Sequence, residues 1–181
     1  MPQFVLLTLD LATTYGFALG DISGDATVSG SRRLRGDEPE EKAADLIGWL
    51  LDLWDVSPWD QLTFEAPIES ATMGGKTNQA TARVLLSLPT VAGAISLRLG
   101  VRMDRIRRAK ADDVRKHFIG TARTGDRAQT KRAVIQRCNQ LGWYPVDDNE
   151  ADALALYDYQ RALLNAKYSA ASGPLFRRRD A

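Results

Sequence analysis

Between Phe4 and Asp10 the chain reads Phe-Val-Leu-Leu-Thr-Leu-Asp, apolar at all but one position before the closing acid. So short and continuous a run predicts a strand buried on both faces, at the centre of a sheet. From Thr13 the chain turns, and a second strand is expected around 16–19. Ser23-Gly24-Asp25 signals another turn, with a third strand over 27–34. From Glu40 the period changes. Ala43, Leu46, Ile47, Leu50, Leu53 and Trp54 recur at three- and four-residue spacing behind an acidic first turn, which predicts a helix closed by Pro58.

A short strand is expected over 61–66, and the polar, glycine-rich stretch 70–76 reads as a loop. A long helix over 77–99 follows, with Pro89 expected to break or kink it. Beyond it the pattern predicts a strand over 101–106 and helices near 110–117, 128–141 and 149–166. Three strands followed by alternating helices and strands predict an α/β domain with a mixed sheet. Residues 1–168 form that domain on this reading, and 169–181, with Arg177-Arg178-Arg179, form a basic tail.

Composition narrows the class. At 181 residues and 44% hydrophobic, the chain supports one ordinary core. No apolar run reaches the ~18–20 residues of a membrane span, and no basic flank precedes the first apolar run as in a signal peptide. A cytoplasmic protein is expected. The single cysteine, Cys138, excludes an internal disulfide and reads as core filler; the lone His117 excludes a His-rich zinc site. Trp49, Trp54, Trp59 and Trp143 read as core anchors.

The net charge of +1 hides a segregation. Residues 1–70 carry 13 acids against 4 bases, and residues 71–181 carry 20 bases against 10 acids. Twelve of the bases fall between Arg102 and Arg137. An acidic part beside a basic part suits a protein that holds cations with one and phosphates with the other.

Three acids stand where chemistry is done. Asp10 closes the first strand before Leu11-Ala12-Thr13-Thr14-Tyr15-Gly16, and Glu65 closes the strand that ends at Ala66-Pro67. Asp152 lies between alanines in Asp148-Asn149-Glu150-Ala151-Asp152-Ala153-Leu154, where small neighbours allow a helix to seat closely on a sheet. Each has a plain alternative: a turn-forming aspartate, an edge glutamate, and helix capping by Asp148 or Asn149. Gathered at one rim, carboxylates without His or Cys favour Mg²⁺ or Mn²⁺.

This order of motifs resembles the RuvC family of Holliday-junction resolvases, especially phage-type members, over roughly residues 3–165. The resemblance implies an RNase H-like fold with a mixed five-stranded sheet flanked by helices. It further implies a two-metal endonuclease acting on four-way DNA junctions as a homodimer. By it, Asp10, Glu65 and Asp152 match the family's metal-binding acids. The fourth ligand falls on Asn149 or Asp148, and Lys131 matches a lysine near the active centre. Ile68 falls in the neighbourhood where relatives can carry a residue that wedges into the junction, and the loop through Met73-Gly74-Gly75-Lys76 is a second candidate for that work.

The basic stretch supplies candidate phosphate contacts: Arg107, Arg108, Lys110, Arg115, Lys116, Arg123, Arg127, Lys131 and Arg132, with Lys76 from the earlier loop. Gly120 and Gly125 suit close backbone approach, with the following helix N-terminus aimed at phosphate. A solvated helix face is the plain alternative. Two other functions fit parts of the pattern. A non-catalytic branched-DNA-binding module would explain the neutral Asn149, and flaps, forks or RNA–DNA hybrids are alternative substrates. A sugar-kinase-like phosphotransferase would share the early aspartate but would need a duplicated domain.

Overall fold

The computed structural model describes residues 3–66 and 79–165. Strands β1 (Val5–Asp10), β2 (Thr14–Asp21) and β3 (Val28–Arg33) form the antiparallel meander that the opening predicts. On its other side β1 pairs in parallel with β4 (Gln61–Glu65), and β4 pairs in parallel with β5 (Ile106–Ala109). The sheet is therefore mixed and five-stranded, in the order β3-β2-β1-β4-β5.

Helices cover both faces, which is why β1 is apolar at every position but Thr8 and the closing Asp10. Leu7, Leu9, Leu62 and Phe64 point to one face, against α1 (Pro39–Val56) and α2 (Gln79–Arg98). Leu6 and Ala18 point to the other, against α3 (Ala111–Ile119), α4 (Arg127–Leu141) and α5 (Asp148–Leu164). Trp59 and Cys138 are buried, and Trp49, Trp54 and Trp143 pack against the two cores. Among the described residues no helix is long and apolar enough to cross a membrane.

Three expectations are corrected. The strand expected over 101–106 lies at Ile106–Ala109, preceded by a 3-10 turn at Met103–Arg105. Val101 is apolar because it packs into the core just after Gly100 turns at φ +106°, whereas Arg107 and Arg108 face solvent on an edge strand. Pro89 does not break α2, because Leu88 and Ala92 around it are fully buried and tertiary packing overrides propensity. The α5 cap is neither Asp148 nor Asn149: Asp147 holds that place, its carboxylate accepting from the Glu150 amide at 2.9 Å.

Candidate active site

Strand alternation decides where the first two acids go. Leu9 and Phe64 are register partners and both face α1 and α2. Asp10 and Glu65 follow them by one residue, so both point to the opposite face, toward α5, at neighbouring strand ends. The third acid arrives from above. The Thr8 hydroxyl, on the same face of β1 as Asp10, donates to the carbonyl of Ala153 at 3.0 Å. Ala151, Ala153 and Ala155 are almost fully buried, so the helix seats directly on the sheet.

Gly16 completes this seat. It is the register partner of Asp10. A Cβ there would stand 1.8 Å from the carbonyl oxygen of Asn149 and 2.3 Å from its carbonyl carbon. Only glycine lets the first turn of α5 lie this close to β2. Ser31 and Ser29 of β3 hold the same turn, donating at 2.6 Å to Asp147 and to Glu150 respectively.

The result is a shared electrostatic neighbourhood. Burial, then the charges of Asp152 and Glu65, push the Asp10 carboxyl up to about 8, against the pull of Lys131 and Arg115. Burial also raises Glu65 and Asp152; Arg115 is the strongest opposing influence on each, and Arg127 acts on both. Asp112, from the first turn of α3, also opposes the ionisation of Glu65. The donors are all oxygen, the kind that suits a hard divalent cation. Among the described residues no three His, Cys, Asp or Glu side chains are already drawn as tightly together as a single ion would draw them.

Solved structures of Thermus thermophilus RuvC share this architecture. One, in complex with a Holliday junction substrate, superposes with a TM-score of 0.67 at 12% identity, covering 91% of this chain and 97% of that one. A second RuvC structure gives 0.63 at 13%, covering 89% and 96%. The fold is RuvC-like. No family model matches the sequence, and no curated protein matches it.

On this RuvC-like fold the two candidates for the fourth ligand part company. Asp148 is ion-paired with Lys131, so each occupies the other. Asn149 donates through its side-chain nitrogen to Asp147 at 3.4 Å, leaving its carbonyl oxygen available.

The predicted phosphate contacts divide in a similar way. Arg115, Arg127 and Lys131 reach the carboxylates electrostatically. Arg107, Arg108, Lys110, Lys116, Arg123 and Arg132 are exposed, with Arg108 lying over the Phe64 ring at 5.8 Å. The N-terminus of α4 is not an open phosphate seat. Asp126 and Gln129 cap it reciprocally, the Gln129 amide donating to Asp126 at 2.7 Å, and a carboxylate there repels phosphate. Ile68, Met73 and Lys76 lie outside the described residues.

Sequence reasoning missed the contact of Gly16 with α5, the serines of β3 and the proximity of Asp112 to Glu65. Alternating polarity in β3 is the one signal that pointed toward the serines.

Proposed function

We propose that this chain is a divalent-metal-dependent endonuclease that cuts branched DNA, resolving four-way junctions as its principal substrate. What carries the reading is the delivery of Asp10, Glu65 and Asp152 to one rim of a RuvC-like fold, beside Arg115, Arg127 and Lys131. Three carboxylates that oppose each other's ionisation in a partly buried place need a cation, and clustered bases around them suit a scissile phosphate. Mg²⁺ or Mn²⁺, two ions per site, would supply the charge that activates water and stabilises the leaving oxygen.

The chain's own residues do the rest. Asp10, Glu65 and Asp152 hold the cations, with the Asn149 carbonyl oxygen as a neutral donor. Arg115 and Arg127 orient the phosphate, and Lys131, released from Asp148, can answer charge on the cut strand. Arg107, Arg108, Lys110, Lys116, Arg123 and Arg132 extend the grip along the arms.

A homodimer belongs to this proposal, because paired sites meet the two equivalent strands of a four-way junction. Helix α2 is the candidate pairing surface, through its outward face rather than its apolar stripe. Leu88 is buried and Val91 and Ile95 pack on the core, while the side chains of Val84 and Leu85 lie outside the described residues. Leu86, Thr90, Ala94 and Leu97 form the exposed stripe instead.

The deciding experiment is a cleavage panel of synthetic four-way junctions, forks, flaps, duplexes and RNA–DNA hybrids with Mg²⁺ or Mn²⁺. Paired symmetric nicks in the junction are expected, lost in Asp10→Asn and Asp152→Asn. Salt-sensitive junction binding without any cleavage would establish the non-catalytic module instead.

A further inference from the structure

Strands β1, β4 and β5 run parallel, so the ends that carry Asp10 and Glu65 share one rim. The residues that lead into these strands, Phe4, Asp60 and Arg105, share the opposite rim. There the last turn of α1 and the residues after α2 close over them, leaving a cleft of about 460 Å³. We propose that this cleft binds the C-terminal end of a partner protein, its last apolar side chain on the aromatic floor and its free carboxylate on Arg105. The proposal does not depend on the nuclease reading.

The floor is rigid and already satisfied. Trp59 is buried, its indole N–H donates to the Ser96 hydroxyl at 3.3 Å, and Trp54 meets it edge-on with ring centroids 4.7 Å apart. Leu99 and Val101 continue the apolar lining. Val56, at the end of α1, is 84% exposed, and Met103, in the 3-10 turn, is 71% exposed. Apolar side chains left in water in the two segments that flank an aromatic cleft mark a protein-docking surface.

Charge selects the partner's end. Of the two arginines lining the cleft, Arg102 is held by Asp104 at 2.9 and 3.0 Å. Asp60 accepts from the Val5 amide at 2.8 Å. Arg105 is half-buried over the Phe4 ring, 4.8 Å from its centroid, and its guanidinium has neither a hydrogen bond nor an ion pair among the described residues. A guanidinium fork so held matches a carboxylate. A C-terminal residue brings an apolar side chain and a carboxylate on one Cα, which suits floor and fork in one small cleft. DNA brings phosphates, which Asp60 and Asp104 repel. The cleft lies roughly 20 Å along β1 from Asp10, so a partner seated there leaves the acids open.

The test is the intrinsic tryptophan fluorescence of the full chain, titrated with short peptides ending in Leu, Ile, Val or Phe. Each is used as the free acid and as the C-terminal amide. At least one free acid is expected to give a saturable change, with its amide about tenfold weaker or more. Arg105→Gln is expected to bring the acid down to the level of the amide, and Arg105→Lys to recover part. Arg33→Gln, on β3, leaves binding unchanged, and junction cleavage by Arg105→Gln matches wild type. The comparison of acid with amide uses wild-type protein, so it stands whatever the stability of the variants. No peptide binding at millimolar concentration, or equal binding of acid and amide, overturns the proposal. So does a saturable change with single-stranded DNA that Arg105→Gln removes, which would make the cleft a nucleic-acid seat.

Discussion

At the scale of single residues, the rim is a place where folding works against charge. The Asp10 carboxyl is raised from 3.8 to about 8, chiefly by burial. The folded chain therefore keeps this proton to a higher pH than the unfolded chain, and stability contributed by the protonated form is lost as pH rises from about 4 to about 8. In metal-free protein, Asp10→Asn is expected to raise stability by a few kcal/mol at pH 9, with the gain fading toward pH 4. Urea denaturation in EDTA across that range reads it, and a gain independent of pH would refute the charge explanation. Gly16 is the opposite kind of residue, lacking a side chain because α5 occupies the space. Gly16→Ala is expected to cost about 1–3 kcal/mol and, by moving Asp152 away from Asp10, to cut junction cleavage about a hundredfold. Full activity in a stable Gly16→Ala protein would show that the seat of α5 does not set the site.

At the scale of elements, the site depends on how α3 and α5 are locked behind it. His117 of α3 lies 2.9 Å from Asp158 of α5, and Asp158 also pairs with the fully buried Arg161 at 3.1 Å. Arg161 reaches on to Asp25 at 3.0 Å and to the Gly24 carbonyl, and its guanidinium lies over the Trp143 ring. One carboxylate thus ties two helices to the turn between β2 and β3. Asp158→Ala is expected to cost about 3 kcal/mol or more, because a buried guanidinium loses its buried counter-charge and keeps only the solvent-exposed Asp25. Chemical denaturation checks it, and a loss below 1 kcal/mol, on the order of a surface pair, would show the network to be incidental. These partners were not legible in sequence. His117 and Asp158 are 41 positions apart, and nothing local marks either as half of a pair.

At the scale of the whole molecule, segregated charge became segregated surface only in part. Several bases between Arg102 and Arg137 face solvent on β5, α3 and α4, while Arg115, Arg127 and Lys131 lie close enough to the acids to favour their charged forms. The exposed stripe of α2, with Leu86 56% and Leu97 41% exposed, is where a second copy is expected to seat. Leu97→Glu should convert the dimer to a monomer in sedimentation at micromolar concentration and abolish paired nicking. A wild-type protein that sediments as a monomer, alone and on a junction, would remove the dimer from the proposal.

The order of elements, both-face burial of β1 and the strand-end positions of Asp10 and Glu65 were written in local periodicity, since side-chain direction alternates within a strand whatever surrounds it. Asp152 was legible because alanines on both sides announce close packing. Tertiary structure alone decided the rest: that β5 lies after Val101, that α2 continues through Pro89, that Asp147 rather than its neighbours caps α5, and that Lys131 holds Asp148. Each depends on which distant surfaces meet. Pairing and packing energies belong to contacts between segments, and no single segment carries them.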